Sequence, residues 1–257
     1  MTVNKIPAQT ADRGLNSFPS IDIVVPVFNE EHRLPSHIGK LYRFLQLNLP
    51  SNFWQIVIAE NGSTDQTRNI AEQLTNQYPK IRVLHSERRG RGEALIHAWQ
   101  QSQAEIIAYM DVDLATDLKA FPQIIALLSQ GCDLAMGSRH ASTAAVTRCR
   151  KREFLSRAYN FLIRRFFRAP FTDAQIGFKA MRRLAVTPLL SRVKARGWFF
   201  DTELLLKAHQ NQLRIQEIPV RWIEDPDSRV KLPSTIFHMA WGLIRLRCQM
   251  SLNGRHL

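Results

Sequence analysis

Glu105-Ile106-Ile107-Ala108-Tyr109-Met110-Asp111-Val112-Asp113 is the stretch that decides the fold of this 257-residue chain. An apolar run too short for a helix ends abruptly in two carboxylates one residue apart. Short apolar runs bounded by polar clusters read as buried strands. Two acids at a strand end can face one hard cation together if the backbone turns there. Mg2+ or Mn2+ takes one or two carboxylates along with the oxygens of a diphosphate.

The pattern repeats outward from this segment. Ile21–Phe28 runs into Asn29-Glu30-Glu31, and Trp54–Ala59 runs into Glu60-Asn61-Gly62-Ser63. Ile81–Leu84 and Cys132–Met136 read as further strands. Helical patterns fill about 31–48, 65–78, 91–103 and 117–130. Strands alternating with helices predict an α/β fold, a mainly parallel sheet with helices on both faces. Ligands of such sheets bind beyond the carboxyl ends of the strands, where three polar, acidic clusters would gather. Ser63 is expected as the N-cap of the second helix, with Gln66 closing a capping box. The free N–H groups of that helix start, beside Glu60, suit a base or ribose. Arg88-Arg89-Gly90-Arg91-Gly92 offers guanidinium groups that match phosphate, on glycines that let backbone come close.

The second half is more basic. Residues 148–168 carry eight Arg or Lys and one acid, and Phe154, Leu155, Ala158, Tyr159, Leu162 and Phe166 recur at helical spacing. A polar loop follows at Thr172–Lys179, then a helix near 201–211, a strand near 213–222 and an amphipathic segment over 234–248. The formal charge of +13 asks for an anionic partner. Nucleic acid is disfavoured, because it explains none of the acidic strand ends and leaves the aromatic side of 148–168 without a role. An anionic membrane surface suits both the charge and the aromatic side. No apolar run reaches the ~20 residues of a spanning helix, and the polar N-terminus predicts no signal peptide. Cys132, Cys149 and Cys248 show no disulfide or zinc spacing, in keeping with a reducing compartment. The eight histidines form no cluster and are expected at the surface or in the core. Trp198, Trp222 and Trp241 are expected as core or interface anchors.

Eight pieces, in order, resemble the family-2 glycosyltransferases over about residues 20–232. They are Val25-Pro26-Val27-Phe28-Asn29-Glu30-Glu31, Glu60-Asn61-Gly62-Ser63-Thr64-Asp65, Arg89-Gly90-Arg91-Gly92, Asp111-Val112-Asp113-Leu114, Gly137-Ser138-Arg139, Thr172-Asp173-Ala174-Gln175-Ile176-Gly177-Phe178-Lys179, Trp198-Phe199-Phe200-Asp201-Thr202-Glu203-Leu204 and Glu217-Ile218-Pro219-Val220. The branch they look most like is the polyprenyl- or dolichyl-phosphate glucosyltransferases, followed by the dolichyl-phosphate mannose synthases.

The resemblance implies a GT-A fold, with a tail over 1–19, a catalytic domain over 20–232 and an amphipathic segment over 233–257. It implies donor contacts from Pro26, Phe28, Glu30, Glu60, Asn61, Arg89, Arg91 and Asp111. Asp111 and Asp113 would hold Mg2+ or Mn2+. Arg139 and Arg152 match arginines that hold a lipid phosphate, and Asp173, Gln175, Asp201 and Glu203 match acceptor-side or structural positions. Glu60-Asn61 replaces the usual pair of aspartates, and one acid there does not separate UDP from GDP. Ala115 stands where mannosyl relatives often carry a metal-binding glutamine, which favours UDP-glucose over GDP-mannose as donor. The implied reaction inverts the anomeric centre and delivers the sugar to a polyprenyl phosphate on the cytoplasmic face of a membrane. That acceptor is already anionic and needs no strong base. A polysaccharide or soluble hydroxyl acceptor, the alternative reading, would require Asp173 or Asp201 to act as base.

Overall fold

The computed structural model describes residues 18–225 and 232–252, so most of the tail expected over 1–19 lies outside the described residues. In chain order the elements are β1 (Ile21–Val27), α1 (Leu34–Asn48), β2 (Trp54–Glu60), α2 (Thr67–Gln77), β3 (Ile81–His85), α3 (Arg91–Gln101), β4 (Ile106–Met110), α4 (Phe121–Ser129) and β5 (Leu134–Ser138). Then follow β6 (Ala145–Thr147), α5 (Arg150–Phe167), β7 (Phe178–Arg182), α6 (Arg183–Leu190), α7 (Phe200–Gln210), β8 (Ile215–Pro219), β9 (Arg221–Ile223) and α8 (Leu232–Leu252).

The apolar runs form one seven-stranded sheet in the order β3-β2-β1-β4-β7-β5-β8, parallel except for β7. Every residue of β4 is buried, as expected of a parallel strand covered on both faces. The core is continuous across the sheet. Trp99 of α3, for example, packs its ring against Tyr109 of β4 and Phe200 of α7. Strand order reverses between β1 and β4, so their carboxyl ends open a crevice where Phe28–Glu30 and Asp111–Asp113 meet.

Three expectations need correction. First, α2 starts at Thr67, not after a Ser63 cap. The Ser63 hydroxyl instead accepts the Asn29 N–H, and the Ser63 N–H goes to Glu60. Asp65 takes over at the helix start by accepting the Thr67 N–H. Second, β7 begins inside the segment read as a polar loop, where its short, mixed sequence pairs antiparallel between β4 and β5. Third, the strand near 213–222 is two strands. Pro219 has no N–H to continue the ladder; after Val220 the chain leaves β5 and pairs with β6.

Helix α5 packs through a narrow face. Its buried residues are Ser156, Asn160, Ile163 and Phe167. Of the apolar stripe, Phe154 (71%) and Phe166 (53%) are exposed, as a surface-facing side requires, while Tyr159 packs against the core. Burial of the polar pair is satisfied by hydrogen bonds: Ser156 to His140, and Asn160 Oδ1 from the Ala174 N–H. Trp198 and Trp241, expected as core or interface anchors, are exposed and so lie outside the core.

Candidate active site

The site is built where β1, β2 and β4 end. Asn29 turns the chain after β1 with φ 56° and is bound to Thr64, while the Glu30 N–H donates to Thr67 Oγ1 at 2.7 Å. The first two strand ends are thus laced together. Pro26 lies in β1 opposite Ala59. Phe28 projects as a half-exposed ring with the Arg89 guanidinium 5.2 Å from its centre. A flat aromatic face and a planar cation in this arrangement suit a nucleobase.

Glu60 is held from both sides. Its carboxylate accepts the Ser63 N–H at 2.5 Å and faces His85 Nδ1 at 3.2 Å. His85 Nε2 in turn lies 3.2 Å from Glu72. Burial pushes the Glu60 pKa up, but the Ser63 and His85 bonds outweigh it and hold the carboxyl below its usual range. Beside it Asn61 is 5% exposed, and its Oδ1 has no hydrogen-bond partner among the described residues. A buried acceptor left open in this way marks a place for a ligand donor. His85 was not legible as a site residue, because its partners come from β2 and α2.

Asp111 and Asp113 share a small pocket with Ala115, Thr116, Gly177 and Trp222. The Asp111 N–H donates to the Gly177 carbonyl at 3.1 Å, and any Cβ at position 177 would occupy the Asp111 carboxylate's place. Asp113 accepts the Ala115 N–H at 3.1 Å. Burial, and then the neighbouring Asp111 charge, push its pKa up to about 6. Among the described residues no third His, Cys, Asp or Glu joins them as a metal ligand. A crowded pair of carboxylates with no third protein ligand fits a hard divalent cation that completes its shell with water and diphosphate oxygens.

The three arginines of the glycine-rich turn separate. Arg88 is exposed beside Glu93, and Arg89 lies over Phe28. Arg91 turns inward, 2.6 Å from Asp111 and 3.8 Å from Asp201. The glycines serve packing, not ligand approach: a Cβ at Gly92 would strike the Phe200 ring, and one at Gly90 the Arg196 carbonyl. Asp201 is 2% exposed and also bonded to Tyr109 and Lys179. Burial pushes the Asp201 carboxyl up, and pushes the Lys179 ammonium down.

Arg139 is paired within the protein. Its Nε and Nη2 form a forked pair with Asp173 at 2.7 and 2.8 Å. Asp173 is fully buried, and although burial opposes it, Arg139 holds that carboxyl far below the usual range. Arg152 donates to Glu224 at 2.9 Å. Gln175 donates its side-chain amide to Met239 Sδ of α8, and its backbone N–H to Asp173 at 3.3 Å. Glu203 accepts the Lys194 and Ala195 N–H groups and so braces the loop before α7. Trp222 was missed as a site residue. Its ring lines the Asp111–Asp113 pocket and has the guanidinium groups of Arg139 and Arg148 5.3 and 5.4 Å away.

Comparison with known proteins agrees with this geometry. The chain is 35% identical over 237 residues to glycosyltransferase AglD of Haloferax volcanii; the match covers 91% of this chain and 38% of AglD, so the chain spans well under half of that relative. It is 30% identical over 232 residues to a dolichyl-phosphate beta-glucosyltransferase of Drosophila melanogaster, covering 84% of this chain and 71% of the relative. Glucosyl-3-phosphoglycerate synthase of Mycobacterium tuberculosis, crystallised with Mn2+, UDP and phosphoglyceric acid, superposes with a TM-score of 0.69 at 19% identity, over 90% of this chain and 78% of that one. This last likeness concerns the fold, which is GT-A-like. The model of glycosyl transferase family 2 matches residues 22–189, and with an acid pair at the β4 end, a laced crevice between the strand ends and these relatives, the chain belongs to that family.

Proposed function

We propose that this chain transfers glucose from UDP-glucose to a polyprenyl phosphate, with inversion, at an anionic membrane surface. The observation that carries the acceptor class is the state of the two carboxylates that a hydroxyl acceptor would need as base. Asp173 is fully buried and neutralised by Arg139, and Asp201 is buried among Arg91, Lys179 and Tyr109. Neither opens to the pocket. A phosphate acceptor needs no proton removed, and the arginines beside Trp222 suit its charge.

Phe28, Arg89, Glu60 and Asn61 would hold the nucleoside. Asp111 and Asp113 would hold Mg2+ or Mn2+, whose chemistry there is to neutralise the charge on the departing diphosphate. Arg91, fixed by Asp111 and Asp201, adds positive charge at the same place. Arg152, at the first turn of α5, would aim the acceptor oxygen. Among the described residues no helix is long and apolar enough to cross a membrane. The exposed Phe154, Phe161 and Phe166 of α5, with Trp241 and Ile244 of α8, would rest in the headgroup region of the cytoplasmic leaflet.

The test is incubation of the full chain with vesicles containing polyprenyl phosphate, Mg2+ or Mn2+, and labelled UDP-glucose or GDP-mannose. The expected result is label from UDP-glucose alone entering the lipid phase, lost in chelator. Label from GDP-mannose, or label confined to soluble products, would replace this reading.

A further inference from the structure

Arg139 and Arg148 lie against Trp222, Arg152 reaches Glu224 two residues on, and the three differ in how their donors are used. Arg139 donates twice to Asp173, and Arg152 donates to Glu224. Arg148 is the exception. Its side chain is 15% exposed, yet its Nε and Nη1 are buried without a hydrogen-bond acceptor among the described residues. Among the described residues it is ion-paired with Glu224 at 3.7 Å and Glu153 at 3.9 Å, both beyond hydrogen-bond distance. Glu153 is further drawn toward Arg157 at 2.6 Å. Burial and then the Arg139 charge lower the pKa of Arg148, so its surroundings disfavour its charge. A buried guanidinium with unfilled donors is costly and calls for an additional anion.

Glu224 marks where that anion would lie. It follows β9, one residue beyond the point where Ile223 pairs with Ala115 of the Asp111–Asp113 loop. Its carboxylate accepts the Cys149 N–H at 2.8 Å as well as Arg152, with Arg148 at longer range. One carboxylate thus sits among donors that could serve the several oxygens of a larger anion. Trp222, two residues earlier, lines the acid-pair pocket itself. We propose that Arg148 is a ligand for the phosphate monoester of the acceptor, and that Glu224 is a resident anion which this phosphate displaces. This rests on the reading that the acceptor is a phosphate. It adds a third arginine to the site and a built-in competitor that tunes acceptor affinity.

The experiment measures calorimetric binding of a water-soluble short-chain prenyl monophosphate, and of inorganic phosphate, to the full chain, with glucosyl transfer measured alongside. Arg148→Gln should weaken prenyl monophosphate about tenfold or more, with donor affinity unchanged. Glu224→Gln should act in the opposite direction and tighten it about threefold or more, because the competitor has lost its charge. A merely structural role for the pair would make both substitutions weaken binding, and that result overturns the proposal, as does unchanged binding in Arg148→Gln. If Arg148→Gln does not fold, Glu224→Gln still decides by the sign of its effect. Inorganic phosphate bound as tightly as the prenyl compound, with the same response to both substitutions, supports the anion site and assigns its source to free phosphate instead of a lipid headgroup. Wild-type protein that binds the prenyl compound with these responses but transfers nothing to it would remove the proposed function and leave the site standing. Transfer that is indifferent to Arg148 would do the reverse.

Discussion

A carboxylate at position 113 is poorly placed for stability and well placed for chemistry. In the fold its pKa is pushed from 3.8 up to about 6, so the ionised form is penalised in the native state. The penalty is absent below about pH 4, where both folded and unfolded chains hold the proton. It grows through pH 4–6 and is complete above about 6. Asp113→Asn should therefore stabilise the metal-free protein at pH 8 by roughly 1–3 kcal/mol, and the gain should vanish toward pH 4. The same change should lower turnover by about a hundredfold or more, since charge on the diphosphate goes unmet. Thermal unfolding at pH 8 and pH 4, with and without Mn2+, checks this: Mn2+ should raise the midpoint of the wild type and not of the variant. A less stable variant at pH 8 would mean that Asp113 is a structural acid. Glu60 makes the second test at this scale. Because Ser63 and His85 fix its carboxylate at the crevice, Glu60→Ala should raise the donor KM about tenfold and leave the acceptor KM alone. His85→Ala, which removes one support, should do the same more weakly. Separate saturation curves for the two substrates decide, and an effect confined to the acceptor would relocate the nucleoside.

Among the elements, α5 is where sequence and structure diverge most instructively. Strands β1, β2 and β4 were legible because parallel strands covered on both faces are nearly pure apolar runs, and their acidic ends stand out against them. The buried face of α5 was not legible. Hydrophobic periodicity puts Phe154, Tyr159 and Phe166 on one stripe, but the core takes Ser156, Asn160, Ile163 and Phe167. Two of these are polar, and they are buried because His140 and the 172–175 loop supply hydrogen-bond partners from distant parts of the chain. Nothing in a local period records such partners. Strand β7 was missed for a related reason, since its place between β4 and β5 is a tertiary decision. The consequence for α5 is testable. Phe154 and Phe166 are exposed, so changing both to serine should leave the unfolding midpoint nearly unmoved. Each ring withdrawn from lipid removes ~25 cal/mol per Å² of buried apolar area, so vesicle binding should fall about tenfold or more. Co-sedimentation alongside thermal unfolding separates the cases, and a destabilised double variant would place the rings in a protein contact.

At the scale of the whole molecule, two oppositely charged regions meet at Trp222. The carboxylates at the strand ends face one side of its pocket. Arg148, on the Trp222 ring, leads into the basic α5, which leaves Arg150, Lys151, Arg157, Arg164 and Arg165 exposed, with Arg168 just after it. The net charge of +13 is therefore not spread evenly around the site. Each Lys or Arg close to an anionic surface contributes ~1 kcal/mol, and that contribution decays within a Debye length. The exposed rings of α5 and α8 add a part that salt does not screen. If this face meets the bilayer, the molecule would bring its pocket to the lipid-linked phosphate by docking, and docking would limit transfer to an acceptor embedded in vesicles. Transfer to a short, water-soluble prenyl phosphate would not depend on it. Raising salt from about 0.05 to about 0.5 M should then lower transfer to the embedded acceptor on the order of tenfold, with a residual rate from the apolar contacts. Transfer to the soluble acceptor, and donor affinity, should change far less. Increasing the anionic lipid fraction should restore the embedded rate at intermediate salt. Equal salt sensitivity for both acceptors would place the electrostatic effect inside the pocket, at the arginines beside Trp222, and would take the docking role away from α5.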